Sequence, residues 1–112
     1  MIDLNELAIE ALSNAERRQQ NGAKIKTDTV SMLKHCSTEV VEAMEAYSKL
    51  KYLPQLNANE IEIVREGFAL ELSDIICCVL ITAGKEGIDI EKAVLDCIEK
   101  NRKRALGKGD KL

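Results

Sequence analysis

The sequence predicts an all-α protein, a four-helix up-and-down bundle. Apolar residues recur at helical spacing in four segments, and no segment shows the alternation of a half-buried strand. The 112 residues are 46% hydrophobic and include one proline, and the abundant Ala, Leu, Ile, Glu and Lys favour helices. A chain of this length forms one domain. We therefore expect one helical domain over residues 1–106 and a short basic tail over residues 107–112.

The first predicted helix covers about Leu4 to Gln20 and carries a narrow apolar stripe. Asp3 is its expected N-cap, and Asn21-Gly22 supplies its stop signal, since both residues tolerate the left-handed conformation. The polar end of this helix, residues 17–21, allows two interpretations. It is either a solvated helix terminus or the border of a ligand pocket, and the residues alone leave both open.

The second predicted helix covers about Thr29 to Lys51 and follows a capping pair, Thr27-Asp28. More than half of its circumference is apolar, so it is expected to pack against several neighbours. Glu39 lies within one of the apolar contact faces, whereas Glu42 lies at the border of that face. A carboxylate on a contact face is costly unless it is paired or bound to a metal.

The third predicted helix covers about Glu60 to Lys85. Its second half, from Ile75 to Ala83, is apolar on all sides and is expected to be the most buried element of the fold. Glu71 and Asp74 share a face with apolar residues of the same helix. They are therefore expected to interrupt a packing face, as Glu39 does on the second helix.

The fourth predicted helix covers about Ile90 to Arg104, with Asp89 as its N-cap. Asn101 continues its apolar stripe by position and is expected to point inward. The helix ends in a strongly basic stretch, which is either solvated or in contact with a phosphate-bearing ligand. The expected core stripe consists of Ile90, Ala93, Val94, Cys97 and Ile98.

Charge and cysteine usage exclude some functions and suggest a compartment. The net charge of −3 argues against a general nucleic-acid binder, which needs a basic face. The four cysteines have no Cys-x-x-Cys spacing, so we expect reduced thiols in the core and a cytoplasmic protein. The first residues show no signal-peptide pattern, and the longest apolar run has nine residues. We therefore expect no membrane span.

Two acidic pairs stand at the centre of the chain, each with three-residue spacing. This spacing places both members of a pair on one helix face, about one turn apart. If the two helices pack antiparallel, the four carboxylates converge and either hold a hard cation or enter a buried ion-pair network with Lys34 or Arg65. Oxygen ligands without His or Cys favour Mg2+, with Mn2+ as a substitute. The candidate ligands are Glu39, Glu42, Glu71 and Asp74.

A carboxylate-bound Mg2+ usually binds a phosphate substrate as well. Lys100, Asn101 and Arg104 are the donors expected to hold the remaining phosphates. The single histidine, His35, is expected to point away from the acidic face. The cysteine spacing does not fit zinc, and the paired Glu-x-x-His motifs of di-iron bundles are absent.

These residues resemble a known family. The order Glu39-x-x-Glu42, a gap of 28 residues and then Glu71-x-x-Asp74 is similar to the metal motif of the MazG-like, all-α nucleoside triphosphate pyrophosphohydrolases. Residues 72–76, 87–94 and 98–104 look like the family's third helix, its following turn and its terminal block. The resemblance extends over about Met32 to Arg104. The gap is at the long end for the family, and the only aromatic residues are Tyr47, Tyr52 and Phe68.

The resemblance implies Mg2+-dependent hydrolysis between the α and β phosphates, which yields a nucleoside monophosphate and pyrophosphate and would clear unwanted nucleotides. It assigns the four carboxylates to the metal and to catalysis, and Lys100, Asn101 and Arg104 to the substrate. It also implies a homodimer or homotetramer that completes the bundle. Two alternatives stay open: a phosphoribosyl-ATP pyrophosphatase of histidine synthesis, and a non-catalytic helical oligomer whose acids form ion pairs.

Overall fold

The computed structural model describes residues 2–52 and 55–107. Within these ranges the chain forms four helices and no strand, which confirms the predicted all-α class. The expected tail beyond residue 107 and the proline of the second connection lie outside the described residues. The helices are α1 (Leu4–Gln20), α2 (Thr29–Tyr52), α3 (Ala58–Glu86) and α4 (Ile90–Ala105).

Local capping explains why the helix bounds follow the sequence so closely. The Asp3 carboxylate accepts two backbone N–H bonds from the first turn of α1. Asn57 and Glu60 form a reciprocal capping box, so α3 begins two residues before the predicted start. Gly87, with φ 65°, ends α3 in the left-handed conformation that glycine adopts without steric cost. These bounds therefore depend mainly on the residues at each helix end.

The core lies where α1 and α2 pack on α3. One cluster joins Ala15 of α1, Met32 of α2 and two residues of α3, Cys78 and Ile81. A second cluster joins α1 and α3 near the end of α3. There the two backbones approach closely, because a Cβ atom on Gly84 would lie only 2.7 Å from a backbone oxygen of α1.

The packing of α4 differs from the prediction. Its first turn is fixed to α1, where Asn5 Nδ2 donates to Asp89 Oδ1 (2.9 Å) and the Glu91 amide donates to Asn5 Oδ1 (3.2 Å). Beyond that anchor α4 has no buried residue, and Ile98 is 59% exposed. Of the predicted core stripe only Ile90 packs against the core, whereas Ala93, Val94, Cys97 and Ile98 are exposed. Asn101 is also exposed rather than inward. The apolar face of α4 lacks a covering helix within the described chain.

The second half of α3 is also less buried than expected. Leu80 and Ala83 are buried, but Ile76 and Val79 are exposed because α1 and α2 cover only one side of the helix. The radius of gyration is 17.2 Å, against about 13 Å for a compact domain of this length. The cysteine prediction holds only in part: all four thiols are free, but Cys78 alone is buried.

Helix α3 is long and apolar enough to cross a membrane by length and composition alone. The longest uninterrupted apolar run, nine residues, is shorter than the apolar part of this helix, because the apolar character continues on both sides of the acidic residues. The core helix of a soluble protein has the same composition, and α1 and α2 pack along α3. The cytoplasmic location stays a prediction.

Candidate metal centre

Helices α2 and α3 run antiparallel, since Met32 packs near Cys78 and Tyr47 packs near Phe68. This arrangement brings the two acidic pairs to the same level of the helix pair. The arrangement follows from the apolar residues on both sides of the acids, which bury the α2–α3 contact. Three carboxylates offer oxygen atoms that all lie within 4.8 Å of one another, and these belong to Glu39, Glu42 and Glu71.

The carboxylates differ in their exposure to solvent. Glu39 is only 8% exposed, as expected for a residue on a contact face, and Glu71 is half-buried. Glu42 is exposed at the border of the face, as predicted. Asp74 was expected to be flanked by packing and is instead exposed. Its negative charge nevertheless acts on both Glu39 and Glu71.

Two buried oxygen atoms at this site have no hydrogen-bond partner within residues 2–52 and 55–107. They are Oε2 of Glu39 and Oε2 of Glu71. Buried polar atoms in folded proteins are nearly always satisfied by protein groups, ordered water or an ion, so this pair of oxygen atoms is compatible with a bound cation. The alternative of a buried ion-pair network is not realised with Lys34 or Arg65, since neither forms an ion pair among the described residues.

The electrostatics of the site also favour a cation. Burial raises the pKa of Glu39, and the negative charges of Glu42 and Asp74 raise that pKa further. Burial also raises the pKa of Glu71, and the negative charges of Glu42 and Asp74 raise it further. The carboxylates therefore repel one another in the ionised form, and a bound cation would relieve this repulsion.

His35 lies at the site, contrary to the prediction that it points away. Its Nε2 atom is 3.1 Å from Oε1 of Glu39. The reason is that residues four apart on a helix share a face, so the spacing His35-x-x-x-Glu39 was the signal for this contact. The imidazole binds one oxygen of Glu39 and leaves Oε2 for another partner.

The predicted substrate residues do not meet the carboxylates within one chain. Lys100, Asn101 and Arg104 lie in the last turns of α4, which packs chiefly against α1. Among the described residues no ion pair or hydrogen bond joins them to the acidic cluster. The Asn101 amide instead lies 3.8 Å from Cys97 Sγ, and Arg104 Nε is buried without a partner. Their role stays a prediction.

Two concave surfaces lie near the acidic cluster, and no sequence pattern signals either shape. An apolar groove of about 440 Å³ lies between α2 and α3, where the rings of Tyr47 and Phe68 are 5.6 Å apart. A second cavity of about 300 Å³ lies between the end of α1 and the start of α2. Arg18 lines that cavity, and residues 17–21 are all exposed, so both interpretations of this helix end stay open.

The side chains of the acidic site offer the donor atoms that a hard divalent cation prefers. All its candidate ligand atoms are carboxylate oxygens, which Mg2+ prefers, and one side of the site is open to solvent at Glu42.

No protein-family model, curated protein or solved structure matches this chain.

Proposed function

We propose that the protein is a Mg2+-dependent nucleoside triphosphate pyrophosphohydrolase of the MazG-like kind, which cleaves between the α and β phosphates. The observation that carries this proposal is the convergence of three carboxylates within 4.8 Å. Two of these carboxylates have buried oxygen atoms without a hydrogen-bond partner. Such a site needs a cation, and a cation held by so few protein ligands leaves positions for a phosphate.

The residues of the site fit Mg2+. Glu39, Glu42 and Glu71 would hold the ion, with Asp74 within reach of the same charge. Bound Mg2+ supplies neutralisation of phosphate charge and activation of water. The packing of α2 on α3 fixes Glu39, and its contact with His35 orients the carboxylate. The exposed Glu42 marks the side from which the substrate enters.

A homo-oligomer belongs to the same proposal. Apolar side chains on three helices are exposed in one chain, among them Met44 of α2, Ile76 of α3 and Leu95 of α4. Exposed apolar surface of this extent is typical of an interface between subunits. A second chain would cover these faces and the Tyr47–Phe68 groove. The substrate role of Lys100, Asn101 and Arg104 then requires contact between chains.

The test is the release of pyrophosphate from a panel of nucleoside and deoxynucleoside triphosphates in Mg2+, with phosphoribosyl-ATP as a further substrate. Release from triphosphates supports the proposal, whereas release from phosphoribosyl-ATP alone would identify the histidine-synthesis enzyme. Glu71→Gln should abolish release, while Glu62→Gln, an exposed position on the same helix, should preserve it. No release from any substrate, or full release by Glu71→Gln, contradicts the proposal.

A further inference from the structure

The cavity between α1 and α2 is lined by basic side chains although the protein is acidic overall. Arg18 comes from the last turns of α1, Lys24 and Lys26 come from the connection, and His35 comes from α2. The cavity volume of about 300 Å³ is at the lower end of the range for small-molecule sites. A pocket with this lining is suited to a small anion rather than to an apolar ligand.

The local structure holds these cations around one space. The chain turns at Gly22, where φ is 94°, and the Ala23 amide donates to the Arg18 carbonyl (2.9 Å). The side chain of Thr27 is buried, and Asp28 accepts the Ser31 amide (3.1 Å) at the start of α2. The connection is therefore fixed at both ends, which keeps its two lysines on the same side as Arg18.

The cations of this cavity are not used within the chain. Among the described residues, none of Arg18, Lys24 and Lys26 has a carboxylate within ion-pair distance. The pKa of the Asp28 carboxyl is lowered by hydrogen bonds from Ser31 and, to a smaller extent, by the charge of Lys26. Asp28 is already engaged as a helix cap. Three cations thus line the same concave space and leave a net positive charge there.

The cavity adjoins the carboxylate site through a single residue. His35 lines the cavity and also contacts Glu39, one helical turn further along α2. One turn is about 5.4 Å, which a polyphosphate chain can span. A ligand that bridges the two sites would place one phosphate near the cation and another among the basic side chains.

We propose that the cavity formed by Arg18, Lys24, Lys26 and His35 is a binding subsite for the phosphate groups of a polyphosphate ligand. The identification of the anion as a polyphosphate rests on the proposed function. Lysine and arginine side chains would donate charge-assisted hydrogen bonds to phosphate oxygens. His35 would place the bound anion next to Glu39. The subsite is expected to bind its ligand without metal, because three of its four donors, Arg18, Lys24 and Lys26, form no ion pair with the carboxylates.

The test is titration calorimetry of the full chain with inorganic pyrophosphate in EDTA at fixed ionic strength. The variant Lys24→Gln/Lys26→Gln is compared with Lys49→Gln/Lys51→Gln. This control also removes two positive charges, but from the far end of α2. We expect the first variant to weaken binding at least about tenfold, through the loss of two charge-assisted contacts. The control should change it less than about twofold, as expected of screened distant charges. Circular dichroism verifies that both variants fold.

Two results would overturn the subsite: no pyrophosphate binding to the wild-type chain in EDTA, or equal weakening by both double variants. The measurement needs neither Mg2+ nor turnover, so it is separate from the assay of pyrophosphate release. Loss of binding in Lys24→Gln/Lys26→Gln alone supports the subsite even if no triphosphate is hydrolysed. Conversely, hydrolysis with unchanged anion binding in that variant would support the enzyme and refute the subsite.

Discussion

Replacing Glu39 by glutamine should have opposite effects with and without metal. In the metal-free protein the substitution removes a buried charge that two neighbouring carboxylates oppose. Glu39→Gln is therefore expected to stabilise the metal-free protein. In Mg2+ the same substitution removes a ligand, so the variant should lose the stabilisation that the ion gives to the native state. A purely structural ion pair between His35 and Glu39 predicts destabilisation instead.

The magnitude follows from the distance between the carboxylates. Two unit charges about 4.8 Å apart repel by about 1 kcal/mol in water and by about 3–4 kcal/mol at an effective dielectric constant of 20. We take the lower end because Glu42 is exposed. The loss of the contact with the half-exposed His35 offsets at most about 1 kcal/mol of this gain in stability. A net gain of up to about 1 kcal/mol would raise the Tm by up to about 4 °C.

The assay is thermal unfolding followed by circular dichroism, in EDTA and in Mg2+, at one pH above the pKa values of free carboxylates. Wild-type protein in Mg2+ at 100 times its Kd should gain about 2.7 kcal/mol. Glu62→Gln should keep that response, since it is exposed and outside the cluster. A lower Tm of Glu39→Gln in EDTA, or an Mg2+ response equal to that of the wild type, would refute the reasoning.

Three further predictions concern packing, pH and assembly. In denaturant titrations Gly84→Ala should lower the free energy of unfolding by about 1–3 kcal/mol, because its Cβ would lie 2.7 Å from a backbone oxygen of α1. Gly67→Ala, which has open space in the same helix, should raise that free energy by about 0.5–1 kcal/mol. Equal effects of the two substitutions would contradict the close crossing. Because the pKa of Glu39 is higher in the native protein than in the unfolded chain, the native state keeps the Glu39 proton up to a higher pH. The stability of the metal-free protein should therefore fall as pH rises from the unfolded pKa through the higher native pKa. Glu39→Gln should flatten this dependence of stability on pH, and an unchanged slope would contradict the assignment. Sedimentation should show an oligomer, and Ile98→Glu should dissociate it. Lys103→Glu, which is also exposed on α4, should preserve the oligomer. A monomeric wild type would refute the covered face.

Much of the fold was predictable because its signals are local. The bounds of α1 match the prediction since Asp3 and the Asn21-Gly22 turn define its ends. The burial of Glu39 was predictable as well, because helical spacing alone places it among apolar residues. These features depend on neighbours within a few residues along the chain, which is the information that a sequence pattern contains.

The features that the sequence analysis missed depend on distant parts of the chain. The exposure of the α4 stripe reflects the absence of a covering helix in the part of the chain that the structure describes, which an apolar pattern cannot reveal. The basic cavity needs Arg18 and Lys26, from opposite ends of a connection, to lie around the same space. The contact between His35 and Glu39 is different, because its four-residue spacing is visible in the sequence.

The charges on the two sides of His35 fit the proposed ligand, which carries both signs. A basic cavity and an acidic cluster lie one helical turn apart, and in a structural network such groups would pair with each other. Only His35 and Glu39 do so, while Lys24, Lys26 and the buried oxygens of Glu39 and Glu71 have no such partner among the described residues. Separate clusters of opposite sign can each bind their own counter-charge. In the proposed function, a complex of Mg2+ with a polyphosphate would supply both at once, with the cation at the carboxylates and the anion at the lysines.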